Sequence, residues 1–297
     1  MPEKILSSFK VSKISKFLDK QFIGNDIKIN KICSIGNVLN NSISFINKKE
    51  QKIDQSKKSL IIAIDNYKID RNSNCTFIFS SNPKLDFIKI LNHFFLEENK
   101  KKISDSVIIG KNCKIRKNVF IGEHTVIKDN VVIEEGTVIK NFVYIESNTK
   151  IGKNCHIKSS SILGEHGFGF ERNEQGNPIR FPHIGNVIIK DNVEIGAFNT
   201  VSRGSIDNTF IDEFTKIDDH VHIAHNVYIG KKNIICAGTI FGGSSKIGNS
   251  NFIGLNSTIK DGTKIGNKNF IGQSTNVVKS VEDNNLIYGN PGEIIKK

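Results

Sequence analysis

The pattern of apolar and polar positions divides the chain into two regions. From Ile109 an aliphatic residue recurs at every sixth position as far as Leu163, and a small or β-branched residue recurs four places after each of them. A second run, which includes one shift of register, extends from Ile189 to Val277. Residues 1–100 lack this period, so we expect them to form a separate domain.

A period of six matches neither the 3.6-residue repeat of a helix nor the two-residue alternation of a simple strand. It is typical of a coil of short strands and tight corners, in which the aliphatic side chain points inward and glycine relieves the bend. Three such sixes complete one triangular turn, so residues eighteen apart stack in neighbouring coils. The pattern predicts a parallel β-helix over residues 101–280, with Cys113 and Cys155 in its core and not in catalysis.

Two segments depart from the repeat. Residues 164–187, rich in glycine and aromatic side chains, interrupt the period and predict a loop excursion from the coil. Long loops in repeat proteins tend to lie on the binding face. Residues 281–297 follow the last repeat and are expected to form a C-terminal tail, with room for a strand and a turn.

The first hundred residues carry the pattern of a small α/β domain. Ser12–Lys20 and Asn82–Phe95 are predicted to be helices, and Pro83 suits the first turn of the second one. The strand-like runs between them are Ile27–Ile32, Ile43–Ile46, Ser59–Ile64 and Thr76–Phe79. The charged stretch Glu97–Lys102 is the expected linker to the coil.

Composition narrows the function classes. The N-terminal stretch lacks the apolar core of a signal peptide, and no segment approaches the ~20 apolar residues of a membrane span. Five scattered cysteines without a CxxC pair argue against a disulfide framework or a zinc knuckle, so we expect a reducing, cytoplasmic compartment. The net charge of +12 comes from lysines spread along the chain, which disfavours a nucleic-acid footprint and leaves an acidic membrane surface, a phosphorylated small molecule or simple solvation as alternatives.

The segment IDDHVHIAHNVYIG is the richest in polar groups within the coils. Because Ile223 points inward, His225 is expected to point outward beside a corner, where an imidazole can take a proton from an attacking amine. Asp218 or Asp219 is a candidate to orient the ring. Gly243 lies eighteen residues after His225 and should stack over it, leaving a backbone N–H open to hold an oxyanion.

Two other interpretations of these histidines stay open at the level of sequence. A histidine on the outside of a coil is commonly an ordinary surface residue. His220, His222 and His225 together are a possible zinc set, but their tight spacing and different directions in the coil disfavour it, and we expect no metal.

Three segments carry a family resemblance, namely GFGFERNEQGNPIRFPHIGNVIIKDNVEIGAFNTV, RGSIDNT and KIDDHVHIAHNVYIG. They resemble the UDP-3-O-(3-hydroxyacyl)glucosamine N-acyltransferases of lipid A synthesis. The resemblance implies a left-handed parallel β-helix and a homotrimer with active sites between adjacent prisms. It also implies that His225 is the base, Asp218 its partner and Gly243 the oxyanion glycine.

The segment CSIGNVLNNSISFINKK looks like the uridine-binding domain of the same family. By that resemblance Phe45 would stack on uracil, and Asn47 approximates the uracil-contacting asparagine. A phenylalanine beside Ile43 and Ile46 is equally suited to the domain core, so this alternative stays open.

The sequence departs from the family pattern in four places. The aspartate before the Arg-Gly pair is Ser202, the second active-site histidine falls at Gly262, and Asn47 stands one residue early. The family's C-terminal helices, which help to receive acyl carrier protein, have no counterpart in residues 281–297, where YGNPGE instead looks like the ending of acetyl-CoA-dependent sugar acetyltransferases.

Three functions follow as hypotheses. The first is transfer of a 3-hydroxyacyl group from acyl carrier protein to the 2-amine of a UDP-linked, 3-O-acylated glucosamine, with no cofactor beyond the phosphopantetheine of the donor. The second is an acyl-CoA-dependent N-acyltransferase acting on a nucleotide-linked amino sugar in surface-glycan synthesis. The third is a non-catalytic or zinc-binding hexapeptide protein.

Overall fold

A computed structural model of the chain describes residues 4–96 and 102–295. The chain divides into two compact units, Met1–Glu98 and Asn99–Lys297. The predicted domain boundary at residue 100 and nearly all of the predicted linker lie outside the described residues, as do the first three residues of the N-terminal stretch.

The N-terminal unit is built on one six-stranded sheet. Its strands, in chain order, are β1 (Lys4–Lys10), β2 (Phe22–Ile23), β3 (Lys28–Ile32), β4 (Ser42–Ile46), β5 (Leu60–Ile64) and β6 (Thr76–Ser80). The order across the sheet is β1-β3-β4-β5-β6-β2, in which β3 to β6 are parallel and the edge strands β1 and β2 pair antiparallel. The four predicted strands are confirmed, and the two edge strands were not anticipated.

Two helices accompany the sheet, α1 (Val11–Leu18) and α2 (Pro83–Ile90), with a 3₁₀ turn at Ile35–Asn37. The side chain of Asn82 caps α2 by accepting a hydrogen bond from the Leu85 N–H at 3.2 Å, and proline occupies the first turn. The predicted second helix therefore begins where expected, and it continues as a π-helical turn over Leu91–Phe95. Its apolar face packs on the buried residues of the sheet.

The second unit is a parallel coil whose strands stack into three sheets. Sheet I contains Ile108–Ile109, Val126–Ile127, Tyr144–Ile145, Ile162–Leu163, Thr200–Val201, His222–Ile223, Ile240–Phe241, Thr258–Ile259 and Asn276–Val277. Sheet II contains Lys114–Ile115, Val132–Ile133, Lys150–Ile151, Val187–Ile189, Thr209–Ile211, Tyr228–Ile229, Lys246–Ile247 and Lys264–Ile265. Sheet III contains Phe120–Ile121, Val138–Ile139, His156–Ile157, Glu194–Ile195, Lys216–Ile217, Ile234–Ile235, Phe252–Ile253, Phe270–Ile271, Leu286–Tyr288 and Glu293–Ile295.

The predicted parallel β-helix is confirmed, and its core consists of the residues that carry the period of six. Ile121, Ile127 and their successors along the repeat are buried, together with the threonines and valines of the small position. The first coil differs, because Ile109 is 43% exposed. We attribute this to its terminal place, since a terminal coil is covered by a neighbour on one side only.

The coil continues beyond residue 280. Val281 forms a parallel bridge to Ile265, and Leu286–Tyr288 pairs in parallel with Phe270–Ile271. Glu293–Ile295 then pairs antiparallel with Leu286–Tyr288. The segment predicted as a tail therefore extends sheet III. No helix among residues 4–96 and 102–295 is long and apolar enough to cross a membrane.

Candidate active site

Both irregularities of the repeat lie at one corner of the coil, where the chain passes from sheet I to sheet II. We call it corner I–II. The excursion leaves after Leu163 and returns at Val187, and it carries a hairpin formed by Phe170–Arg172 and Pro178–Arg180. A shorter insertion, residues 202–208, leaves the same corner one coil later. The next two coils place His225 and then Gly243 at this corner.

The two insertions are hydrogen-bonded to each other beneath His225. The Arg203 side chain donates from Nε to the Gly164 carbonyl at 2.6 Å, and the Arg203 N–H donates to the Glu165 carbonyl at 2.9 Å. The Ile184 N–H donates to the Ser205 carbonyl at 2.8 Å. The start and the end of the excursion are therefore both hydrogen-bonded to the shorter insertion. The two insertions together cover one side of the corner.

The half-buried ring of His225 is held by the residue that follows it. His225 Nδ1 lies 3.1 Å from Asn226 Oδ1. The same oxygen accepts hydrogen bonds from the Ser205 N–H at 3.0 Å and the Ser205 hydroxyl at 2.7 Å, which identifies it as the amide oxygen. An amide oxygen only accepts, so His225 Nδ1 carries a proton, and in the neutral ring Nε2 presents a lone pair. That is the tautomer that a general base needs.

Gly243 stacks against the free side of the His225 ring, as the period predicts. A Cβ added to Gly243 would lie 2.7 Å from both Cε1 and Nε2 of His225. Real Cβ atoms do not approach so closely, so the imidazole in this position requires glycine one coil later.

Gly243 also changes the hydrogen bonding of the corner. At other corners an Asp or Asn side chain accepts the N–H of the residue eighteen places earlier, as Asp129 does for Lys111 at 2.7 Å and Asn249 for Lys231 at 2.8 Å. Gly243 has no side chain to offer His225 in this way. Among the hydrogen bonds between described residues, none uses the Gly243 N–H either. A backbone donor beside a basic imidazole nitrogen is the arrangement that stabilises an oxyanion.

The excursion contributes two residues that the sequence pattern did not single out. Gly167 packs against His225, because a Cβ there would lie 3.0 Å from His225 Cβ and 3.1 Å from Cδ2. The His183 ring lies 5.1 Å from the His225 ring, centroid to centroid, at an interplanar angle of 65°. Proximity in sequence could not reveal them, although the glycine-rich and histidine-containing composition of the excursion marked it as a binding segment.

Asp218 does not meet His225 within one chain. It follows a strand of sheet III, at the corner between sheets III and I, and its side chain is exposed. Its neighbour Asp219 accepts the Ala197 N–H at 2.7 Å and pairs with Lys158 at 3.2 Å, and these contacts, the backbone N–H first, lower the pKa of Asp219. The role of Asp218 as partner of the base stays a prediction.

The other histidines of the polar segment have separate neighbours. The His220 ring stacks on Phe198 at 5.2 Å, and His222 Nδ1 lies 2.6 Å from Thr200 Oγ1. Within the described part of the chain, no group of three His, Cys, Asp or Glu side chains is arranged to hold a metal ion.

Cys155 differs from a reactive thiol. Cys155 is 1% exposed, and burial raises the pKa of its thiol to about 11, so little thiolate forms near neutral pH. Cys113 is only half-buried because it belongs to the first coil.

Two departures from the family pattern lie near or above the site. Ser202 is buried, and its N–H donates to the Ile223 carbonyl at 2.9 Å. Gly262, at the family's second histidine, adopts φ +65°, and an added Cβ would meet nothing within 4 Å. The space beside Gly262 that a histidine side chain would enter is therefore open.

The N-terminal unit has its own cleft of about 650 Å³, which contains both residues predicted to bind the nucleotide. Phe45 is half-buried and packs on Phe87 with ring centroids 4.9 Å apart, and Asn47 is exposed just after β4. Phe45 thus belongs both to the cleft and to the edge of the domain core. The lining residues are Cys33, Ser34, Ile35, Ser44, Phe45, Asn47, Lys48, Glu50 and Gln51.

Comparison with known proteins adds relatives of both the sequence and the fold. A family model described as the GMPPB C-terminal domain matches residues 98–167. The UDP-3-O-acylglucosamine N-acyltransferase of Campylobacter lari is 42% identical over 249 residues, which cover 80% of this chain and 78% of the relative. UDP-3-O-acylglucosamine N-acyltransferase 2 of Legionella pneumophila is 49% identical over 129 residues, 43% of this chain and 37% of that protein.

Solved structures agree on the coil. The UDP-N-acetylglucosamine O-acyltransferase of Moraxella catarrhalis matches with a TM-score of 0.61 at 26% identity, covering 65% of this chain and 73% of that one. Given the extent of the match to the Campylobacter lari enzyme, the chain belongs to the UDP-3-O-acylglucosamine N-acyltransferase family.

Proposed function

We propose that this acyltransferase moves a 3-hydroxyacyl group from acyl carrier protein to the 2-amine of UDP-3-O-acylglucosamine in lipid A synthesis. Membership of the family supports the reaction class and the acceptor. The observation that carries the mechanism is the arrangement of His225 between Asn226 and Gly243, where neither His225 Nε2 nor the Gly243 N–H has a hydrogen-bond partner among the described residues.

The reaction is a simple acyl transfer. The amine attacks the thioester carbonyl while His225 Nε2 takes a proton from the nitrogen, and Gly243 N–H donates to the oxyanion of the tetrahedral intermediate. The intermediate collapses to an amide as the C–S bond breaks. The imidazolium returns its proton to the departing pantetheine sulfur, which restores the neutral base and releases a thiol.

The acceptor is held by its nucleotide in the cleft of the N-terminal unit. Phe45 is the proposed platform for uracil, and Asn47 the proposed partner of its polar edge. An aromatic face and a neighbouring amide match the flat, polar-edged shape of a pyrimidine. The chemistry requires no metal and no cofactor beyond the phosphopantetheine that the donor carries.

The working unit is proposed to be a cytoplasmic homotrimer with sites between adjacent prisms. Its support, besides the family resemblance, is that Asp218 and His225 occupy different corners of one coil. In a site between two chains, the aspartate of one subunit would contact the histidine of another. Within a single chain the two residues lie at different corners and do not meet.

One assay tests the reaction and its donor. Purified protein is given UDP-3-O-acylglucosamine with either 3-hydroxyacyl carrier protein or acyl-CoA, and amide formation is measured by mass. We expect turnover with the carrier protein, and His225→Ala should lower kcat by at least ~10² while the thermal melting temperature is kept.

Three results would contradict the proposal. Near wild-type turnover of His225→Ala would remove the base. Efficient turnover of acetyl-CoA, with none from the carrier protein, would assign the chain to surface-glycan synthesis and leave the base in place. Absence of any thioester turnover, with zinc bound, would assign it to the non-catalytic proteins of this fold.

A further inference from the structure

The base of the proposed mechanism has a second imidazole packed against it. Gly167 packs against both rings, because a Cβ on this residue would lie 2.9 Å from His183 Nε2 and 3.1 Å from His225 Cδ2. His183 Nε2 and the Cδ2 edge of His225 therefore both border the same glycine. The rings themselves meet edge to face, with their centroids 5.1 Å apart.

The tautomer of His183 follows from its hydrogen bond. The ring is 2% exposed, and Nδ1 lies 2.9 Å from the Phe181 carbonyl oxygen. A carbonyl oxygen only accepts, so Nδ1 carries the proton and Nε2 holds a lone pair. Among the described residues Nε2 has no hydrogen-bond partner, although it is buried.

Burial also keeps this ring uncharged. It lowers the pKa of His183, and the neighbouring His225, His166 and Arg180 act in the same direction, against the hydrogen bond to Phe181. A neutral imidazole places the negative end of its dipole at the lone pair of Nε2, and this nitrogen borders the same glycine as the Cδ2 edge of His225. His183 therefore adds no positive charge beside the base before reaction.

Simple packing does not account for this choice of residue. A buried acceptor without a partner costs free energy that an apolar side chain of similar volume would not cost. Such a cost at a site of chemistry calls for a compensating role. The compensating event in this mechanism is the protonation of His225, which turns the adjacent ring into a cation within a partly buried corner.

We propose that His183 is a positioning residue for the catalytic imidazole, holding its plane toward Gly243 and stabilising its protonated form with the Nε2 lone pair. The proposal rests on the proposed role of His225. Preorganised dipoles aimed at a developing charge act most strongly where water is excluded. The excursion thus supplies a dipole that stabilises the protonated base, and it also covers one side of the corner.

The test compares substitutions that keep or remove the acceptor at residue 183. His183→Gln retains an amide oxygen, whereas His183→Met and His183→Phe are apolar. Each full-length variant is assayed with hydroxyacyl carrier protein and UDP-3-O-acylglucosamine, with kcat and both KM values measured, and its fold is checked by thermal melting. His124→Met is the matched control, since His124 is an exposed histidine of the coil that follows a strand of sheet III, away from corner I–II.

We expect His183→Met and His183→Phe to lower kcat about tenfold with little change in either KM, and His183→Gln to stay within about threefold of wild type. His124→Met should match wild type. Equal activities of the Gln and apolar variants, or changes confined to KM, would overturn the proposal, as would failure of both apolar variants to fold. An active His225→Ala would contradict the proposed function itself, whereas an inactive His225→Ala with a fully active His183→Met would contradict only the role of His183.

Discussion

At the residue scale, the site depends on what each side chain leaves free. Asn226 adopts φ +59°, a left-handed conformation that asparagine tolerates well, and in that place its amide fixes the proton of His225. Gly243 lacks a positive φ, so backbone conformation does not demand glycine there. The close approach of the His225 ring does.

Gly243→Ala tests this requirement. The added Cβ would lie 2.7 Å from His225 Nε2, so the ring must move or the coils must separate. We expect kcat to fall by about 10² while the melting temperature changes by only a few degrees, because the displaced group is a partly exposed side chain. Steady-state kinetics and calorimetry provide both values.

Lys231→Ala is the matched control, because Lys231 occupies the equivalent place after a strand at another corner and is exposed. It should leave kcat unchanged. A Gly243→Ala enzyme with wild-type kcat would show that the amine and oxyanion do not meet at this corner.

At the element scale, the strands of the coil and the edge strands of the N-terminal sheet differ in how far the sequence predicts them. The coil strands were predictable because every coil repeats the same requirement, an inward aliphatic residue at each sixth position. Ile133, Ile139 and Ile145 are all fully buried as expected. The edge strands β1 and β2 were not predictable from their composition. Both pair antiparallel at the margins of the sheet, where partners distant in sequence and not local periodicity define a strand.

Phe45, the residue predicted to stack on uracil, lies on β4 and contacts α2 through Phe87. We expect Phe45→Ala to raise the KM for the UDP sugar several-fold, because stacking on an aromatic ring is worth roughly 1–3 kcal/mol per base. Its kcat at saturation should stay near wild type. Some stability is expected to be lost as well, because the ring is half-buried.

Phe79→Ala separates the two effects. Phe79 is a half-buried phenylalanine of β6 that packs in a different apolar cluster. It should lower the melting temperature without raising the KM. An unchanged KM in Phe45→Ala would assign Phe45 to the core alone.

At the scale of the whole molecule, the distribution of charge and the last strands of the coil bear on which acyl donor the protein accepts. The net charge of +12 is distributed along the sequence, so attraction to an acidic carrier protein does not require one basic motif. The coil extends through Leu286–Tyr288, and its last described strand folds back on it. A carrier that docks on this unit would meet β-structure in that region.

Salt dependence tests the carrier donor. Because the Debye length falls from about 30 Å at 0.01 M to about 10 Å at 0.1 M salt, kcat/KM for hydroxyacyl carrier protein should drop several-fold over this range. Activity with acyl-CoA, measured in parallel, should change less, since it lacks the protein surface. Equal salt responses of the two donors would argue against docking through charge.

The coil, its inward residues and the stacking of Gly243 over His225 were predictable from the sequence, because each of these follows from a local constraint repeated at a fixed interval. The side chains that enclose the base were not predictable in this way, because they depend on long-range contacts. His183, Gly167 and Ser205 belong to segments without any period, and their positions depend on hydrogen bonds between two insertions that leave one corner in successive coils. Asp218, close to His225 in sequence, lies at another corner because of the period itself, since six residues along this chain turn it from one face of the coil to the next.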